Sequence, residues 1–183
     1  MEAAGVVCGP CNRHPPPFIR SHIPFRYEAP MDYLLLQLKF HQRLHLAPLL
    51  GTLMAEAIRG RAMTLPQSLL PVPLHPGRLR ERGYNQALEL ARPLSQLLDI
   101  PIGYRLCRRQ RATLAQTSLQ GKDRRRNLRG AFSVEKGELP RHVAIVDDVV
   151  TTGATVEELA RTLRRAGVET VEVWACARAG KDR

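Results

Sequence analysis

Apolar and polar positions alternate most legibly in the last third of the chain. His142-Val-Ala-Ile-Val146 is a continuous apolar run ending on Asp147 and Asp148, as in a strand buried on both faces. From Ala154 to Ala166, the residues Val156, Leu159, Ala160, Leu163 and Ala166 share one helical face, and Gly167 is placed to cap it. Val168 to Cys176 returns to a strand pattern. Strand, helix and strand at this spacing predict a βαβ unit in a parallel sheet. Upstream, amphipathic helices are predicted at about 31–42 and 46–60, the second carrying Leu46, Leu49, Leu50, Leu53, Ala57 and Ile58 at near-helical spacing. Leu69-Leu-Pro-Val-Pro-Leu74 is a proline-bounded strand entering a loop. A helix from about Asn85 places Leu88, Ala91, Leu94 and Leu98 together, and Pro93 should kink or interrupt it. A strand near 101–107 and a short hairpin over 18–28 complete the prediction, which is an α/β chain with a parallel sheet flanked by helices.

Composition adds limits. With 183 residues, 44% of them hydrophobic and 25% charged, the chain can bury a core as one domain plus a small appendage. No apolar run approaches a membrane span, and the N-terminal residues lack a signal-peptide pattern, so a cytoplasmic location is expected. Cys107 and Cys176 sit in strand-like apolar stretches, where cysteine behaves as a small buried hydrophobe. The net charge of +11 is uneven: between Arg105 and Arg129 nine basic residues face one acid, Asp123. Such a segment attracts polyanions, either a phosphate-rich small molecule or nucleic acid.

The chemistry concentrates in Val143-Ala-Ile-Val-Asp147-Asp148-Val-Val-Thr151-Thr152-Gly153-Ala154-Thr155. A strand delivers two carboxylates to the carboxyl edge of the sheet, where open α/β folds bind ligands. The following turn opens directly into a helix, whose free N–H groups and dipole suit a phosphate. Gly153 would let the backbone approach closely, and Thr151, Thr152 and Thr155 can add hydroxyl donors. Carboxylates for sugar hydroxyls beside a phosphate cradle are what a ribose 5-phosphate needs. A nucleotide-hydrolase strand would need a GxxxxGK[ST] loop, and the sequence has none; Gly121-Lys122 is followed by Asp123. There is no GxGxxG loop either.

These thirteen residues resemble the phosphoribosyl pyrophosphate (PRPP) signature of type I phosphoribosyltransferases. Leu74-His75 after Pro71-Val-Pro73, Arg78-Leu-Arg-Glu-Arg82-Gly-Tyr-Asn85-Gln86, Arg111-Ala-Thr113-Leu-Ala-Gln116 and Arg126-Asn127 before Ala131-Phe132 resemble the ComF/GntX subfamily. The resemblance spans roughly residues 30–178. It implies the type I phosphoribosyltransferase fold and displacement of pyrophosphate from ribose C1 by an unspecified acceptor. Asp147 and Asp148 would hold the ribose hydroxyls, directly or through Mg²⁺. Thr151, Thr152, Gly153, Ala154 and Thr155 would bind the 5′-phosphate. Leu74, His75, Arg78 and Arg82 fall in the pyrophosphate loop, with Arg80 either a further cation there or part of a solvated face. Homodimers are common in the fold.

Residues 18–183 would form that domain, with 105–130 as its basic hood and Arg111, Arg124, Arg125 and Arg126 as hood cations. The hood would close over pyrophosphate, bind the phosphates of single-stranded DNA, as the link of ComF proteins to DNA uptake in competence suggests, or simply be a solvated loop. Residues 1–17 read as a linker behind a partial zinc ribbon. Cys8-Gly-Pro-Cys11 supplies half of the four thiolates that such a ribbon uses in relatives, and His14 and His22 lie near enough in sequence to substitute.

Overall fold

The computed structural model describes residues 12–13, 15–60, 64–111, 128–135 and 137–180. Its elements run β1 (Arg20–His22), β2 (Phe25–Arg26), α1 (Met31–Phe40), α2 (Leu46–Arg59), β3 (Ser68–Pro71), α3 (Pro76–Arg82), α4 (Gln86–Leu98), β4 (Cys107–Arg109), β5 (Phe132–Val134), β6 (His142–Val150), α5 (Ala154–Arg165) and β7 (Thr170–Arg178). The main sheet is parallel in the order β1-β7-β6-β3, with β2 also on β7. It is an α/β fold with helices on both faces.

Alternation along the central strands divides the core in two. Ala144 and Val146 of β6 with Trp174 and Cys176 of β7 pack under α1, α2 and α4. Val143 and Ile145 with Val171, Val173 and Ala175 pack under α5 and the β4–β5 ribbon. Cys107 and Cys176 are both buried, as the sequence suggested, and burial pushes each thiol up to about 12. The predicted βαβ unit is β6-α5-β7. Its helix ends in a Schellman motif: Val168 N–H bonds Leu163 O at 3.1 Å, Gly167 N–H bonds Arg164 O at 3.2 Å, and Gly167 has φ +108°.

Residues 18–28 do not form a hairpin. β1 and β2 lie in line along one edge of β7, Arg20 opposite Glu172 and Phe25 opposite Ala177. Pro24 separates them because it offers no N–H to the ladder. The strand expected at 101–107 also moves. Ile102 makes only a single bridge to Leu69, the chain turns at 103–106, and β4 begins at Cys107. Its partner β5 is antiparallel, so the ends of the basic segment meet as a two-stranded ribbon.

Pro93 does not break α4, which runs unbroken from Gln86 to Leu98. Tertiary packing offsets the missing donor: the Pro93 ring seats on Gly51 of α2, where a Cβ would lie 2.2 Å from Pro93 Cγ. α3 was not foreseen; it buries none of its residues, so no apolar periodicity marks it.

At the amino end of the sheet, the fully buried Glu172 is bonded by Trp174 Nε1 and His142 Nε2, each at 3.0 Å, and has His22 Nε2 and Arg20 Nε beside it at 3.4 Å. His22 is buried beneath the β1–β7 edge, its Nε2 3.4 Å from Glu172 Oε2. Cys8, Cys11 and His14 lie outside the described residues, and no cluster of three His, Cys, Asp or Glu suited to a metal occurs among those described.

Candidate functional site

The carboxyl edge of β6 opens onto a cleft of about 480 Å³. Strand alternation sends its two terminal acids to opposite faces. Asp147 pairs in register with Ala175, on the α5 side. Asp148 turns toward α1 and α4, where Lys39 Nζ lies 2.8 Å from its Oδ2. Asp147 Oδ1 also accepts the Asp148 N–H at 2.9 Å. Burial and the neighbouring Asp148 charge push the Asp147 carboxyl well above the usual carboxylate range. Burial works against Asp148 too, but the Lys39 ammonium outweighs it and holds that carboxyl below its usual value. Two adjacent buried acids are thereby made unequal, one prone to keep its proton and one held ionised.

The phosphate-suited turn lies beside them. Thr151, Thr152, Gly153, Ala154 and Thr155 all line the cleft, and the first-turn N–H groups of α5 have no intrahelical acceptor. Gly153 has φ +82°, and a Cβ there would meet only Glu157 Oε1, at 3.4 Å. Glycine is needed here for its left-handed backbone rather than for close packing.

The opposite wall comes from Arg82-Gly83-Tyr84-Asn85-Gln86, in which each residue has a separate task. Gly83 ends α3 in the left-handed region, at φ +83°. Tyr84 is buried and its hydroxyl donates to Leu38 O of α1. Asn85 caps α4 by accepting the Ala87 N–H at 3.0 Å, and donates to Val72 O at 3.0 Å. Arg82 and Gln86 are left to line the cleft, and they bond each other. Arg82 also stacks over Phe40, 5.5 Å from the ring centroid.

Of the residues expected in the pyrophosphate loop, Leu74, Arg78 and Arg82 line this cleft. His75 does not. Its Nδ1 accepts the Gly77 N–H at 3.2 Å as the cap of α3, and its side chain borders a second cleft behind the loop. A histidine before Pro76 is drawn into capping because the first turn of α3 has orphan donors to satisfy. Arg80 borders neither cleft, and Arg111 is exposed beyond β4. Arg124, Arg125 and Arg126 lie outside the described residues.

Three cleft residues were not singled out from sequence. Lys39 is the last-turn lysine of an amphipathic helix, and nothing local links it to an acid 109 positions away. Gln86 sits inside a quoted string without a role. Arg109 lies within the basic segment and stacks on Phe132 at 5.6 Å; burial and the Arg78 charge lower its pKa, with Asp147 pulling the other way. Three guanidinium groups, of Arg78, Arg82 and Arg109, line the same cleft as the buried acids and form a surface where a polyanion would settle.

The phosphoribosyl transferase domain family matches residues 85–183. Competence protein F of Haemophilus influenzae is 42% identical over 179 residues, covering 94% of this chain and 78% of that protein. DNA utilization protein YhgH of Escherichia coli O157:H7 is 42% identical over 175 residues, covering 93% and 77%. The chain belongs to the ComF family of phosphoribosyltransferase-fold proteins. A more distant member, Competence protein ComFC of Streptococcus pneumoniae, is 28% identical over 109 residues, or 58% of this chain and 46% of that one. In this ComF-family protein the family match covers α4, β6, the threonine turn and α5, whereas α1, which supplies Lys39 and Phe40, precedes it. No helix among the described residues is long and apolar enough to cross a membrane.

Proposed function

We propose that the cleft binds PRPP and that the protein acts on it as a phosphoribosyltransferase, passing ribose C1 from pyrophosphate to an acceptor. The observation that carries this reading is the juxtaposition of Asp147 and Asp148 with a helix-opening threonine turn and the facing Arg78 and Arg82. The turn would take the 5′-phosphate through backbone N–H groups and hydroxyls. The acids would accept hydrogen bonds from the ribose hydroxyls, and the arginines would meet the diphosphate. In the transfer, the acceptor's lone pair forms the new bond to C1 while the C1–O bond breaks, its electron pair leaving with pyrophosphate. Charge grows on the leaving group, so fixed cations aimed at it lower the barrier.

Mg²⁺ fits this donor set as an ion carried by the substrate. Asp148 already has an ammonium at 2.8 Å, so it suits hydroxyl or water-mediated contact better than direct ligation of a dication. When bound, Mg²⁺ would neutralise charge on the diphosphate oxygens, with Asp147 and Asp148 reaching it through water. A cytoplasmic setting agrees with a PRPP-dependent role.

Calorimetric titration with PRPP and Mg²⁺, followed by a nucleobase screen for pyrophosphate release, tests the reading. Saturable binding at one site per chain is expected; no heat and no binding at millimolar PRPP would remove it.

A second reading comes from the relatives' names, which speak of competence and DNA utilization, and from the basic stretch 105–129. On this reading the protein serves DNA uptake or processing and holds single-stranded DNA by its phosphates. Affinity for a single-stranded oligonucleotide should then fall steeply between about 50 and 200 mM salt, and weaken when Arg124, Arg125 and Arg126 are neutralised. Binding indifferent to salt would dismiss this role.

A further inference from the structure

The carboxyl end of α1 is tied into the cleft at three consecutive residues. Tyr84 binds the Leu38 carbonyl, Lys39 binds Asp148, and Phe40 lies under the Arg82 guanidinium. Of these, the Lys39 contact reaches a proposed sugar-binding acid, whereas the Phe40 contact reaches Arg82, on the proposed diphosphate side. It spans two elements far apart in sequence, and both partners are drawn away from water: the Lys39 side chain is 31% exposed and that of Asp148 4%. Adjacent carboxylates repel, so a buried Asp148 without a counter-ion would swing away from Asp147 or take up a proton. Either change would spoil it as an acceptor for a sugar hydroxyl. The ammonium holds one oxygen, Oδ2, and the Asp147 and Gln86 side chains also hydrogen-bond the carboxyl, which borders the cleft.

We infer that Lys39 is the positioning residue of the ribose-binding acid, fixing the Asp148 carboxylate where it would meet the sugar hydroxyls. The inference rests on the PRPP reading above and assigns within it a role that the signature loop does not contain. Lys39 acts through Asp148; its contribution belongs to the sugar and not to the diphosphate. That separates it from the arginines of the opposite wall, and from a lysine that turns onto the phosphates.

Three ligands distinguish these roles. Ribose 5-phosphate carries the hydroxyls without the diphosphate, Mg²⁺-pyrophosphate carries the diphosphate without the sugar, and PRPP carries both. Lys39→Met should weaken ribose 5-phosphate and PRPP by a similar factor, about 10- to 100-fold, as for loss of a charged hydrogen bond. Pyrophosphate should bind it as it binds the wild type. In an Asp148→Asn background, Lys39→Met should add little, because the two residues act as one unit.

If pyrophosphate weakens and ribose 5-phosphate does not, Lys39 is a phosphate ligand and the inference is wrong. Equal weakening of all three would mark a merely structural lysine, and wild-type affinities in the variant would overturn it as well. If the wild-type protein itself binds neither PRPP nor ribose 5-phosphate, the PRPP reading fails first. Lys39→Gln, which keeps the stem and a donor without the charge, serves as the second variant should the methionine form fold poorly.

Discussion

Asparagine in place of both Asp147 and Asp148 should eliminate measurable binding of Mg²⁺-PRPP, a loss of about 1000-fold if each acid contributes one charged hydrogen bond of about 2 kcal/mol. The fold should survive, because both side chains keep nearly the same volume and β6 keeps its ladder to β3 and β7. Stability should move the other way at position 147. Burial and the Asp148 charge raise the Asp147 pKa, so the folded state holds that proton more tightly than the unfolded chain does. Stability arising from this group is therefore lost as pH rises from about 4, the unfolded value, toward the raised folded value. Asp147→Asn removes that loss, and its advantage over the wild type in urea unfolding should grow with pH across this window. Affinity and stability changing in opposite directions mark a group kept for function at a structural cost. A double variant that still binds PRPP would rule out the acids as the sugar site. A single variant less stable than the wild type at neutral pH would rule out the electrostatic account of Asp147.

The parts of the molecule that could be read from sequence are those in which local pattern and tertiary role agree. The apolar run 142–146, the turn and the helix from Ala154 are contiguous, and β6 and α5 lie where the pattern puts them, with the acids and threonines around one cleft. α1 and α2 also lie where predicted, but α2 buries Ala47, Leu50, Met54, Ala55 and Ile58 rather than the expected stripe, and leaves Leu49 exposed. Prediction failed where a distant partner decides. Pro93 is disruptive only until Gly51 is known to receive it. Residues 18–28 have the alternation of a hairpin, but β7 offers its edge to both halves. Lys39 reads as an ordinary helix-ending lysine until the fold brings β6 to it. The acids and the threonine turn, made by one contiguous stretch, were therefore legible, and the lysine paired with Asp148 was not.

A larger effect on stability should come from Glu172, at the other end of the same sheet. Glu172→Ala should destabilise the protein by about 3–5 kcal/mol, the range for removing one partner of a buried charged pair. The reason is what remains: Trp174 Nε1 and His142 Nε2 would lose their acceptor, Arg20 its counter-charge, and the buried His22 the carboxylate beside it. Glu172→Gln should cost less, because its carbonyl oxygen can still accept from the indole. Burial works against the Glu172 charge, but the bonds from His22 and Trp174 and the Arg20 charge outweigh it and hold its pKa below the ordinary value. A depressed carboxyl contributes stability that is present above the unfolded value and lost as pH falls through the folded one. The gap between wild type and Glu172→Gln in urea unfolding should therefore be constant above about pH 5 and narrow below about pH 4. A gap that is flat down to pH 3 would mean the cluster holds β1 on the sheet by packing alone. Because Glu172 is far along β7 from the cleft edge, PRPP affinity in the folded variant should stay at the wild-type value, whereas changes at Asp147 and Asp148 remove it.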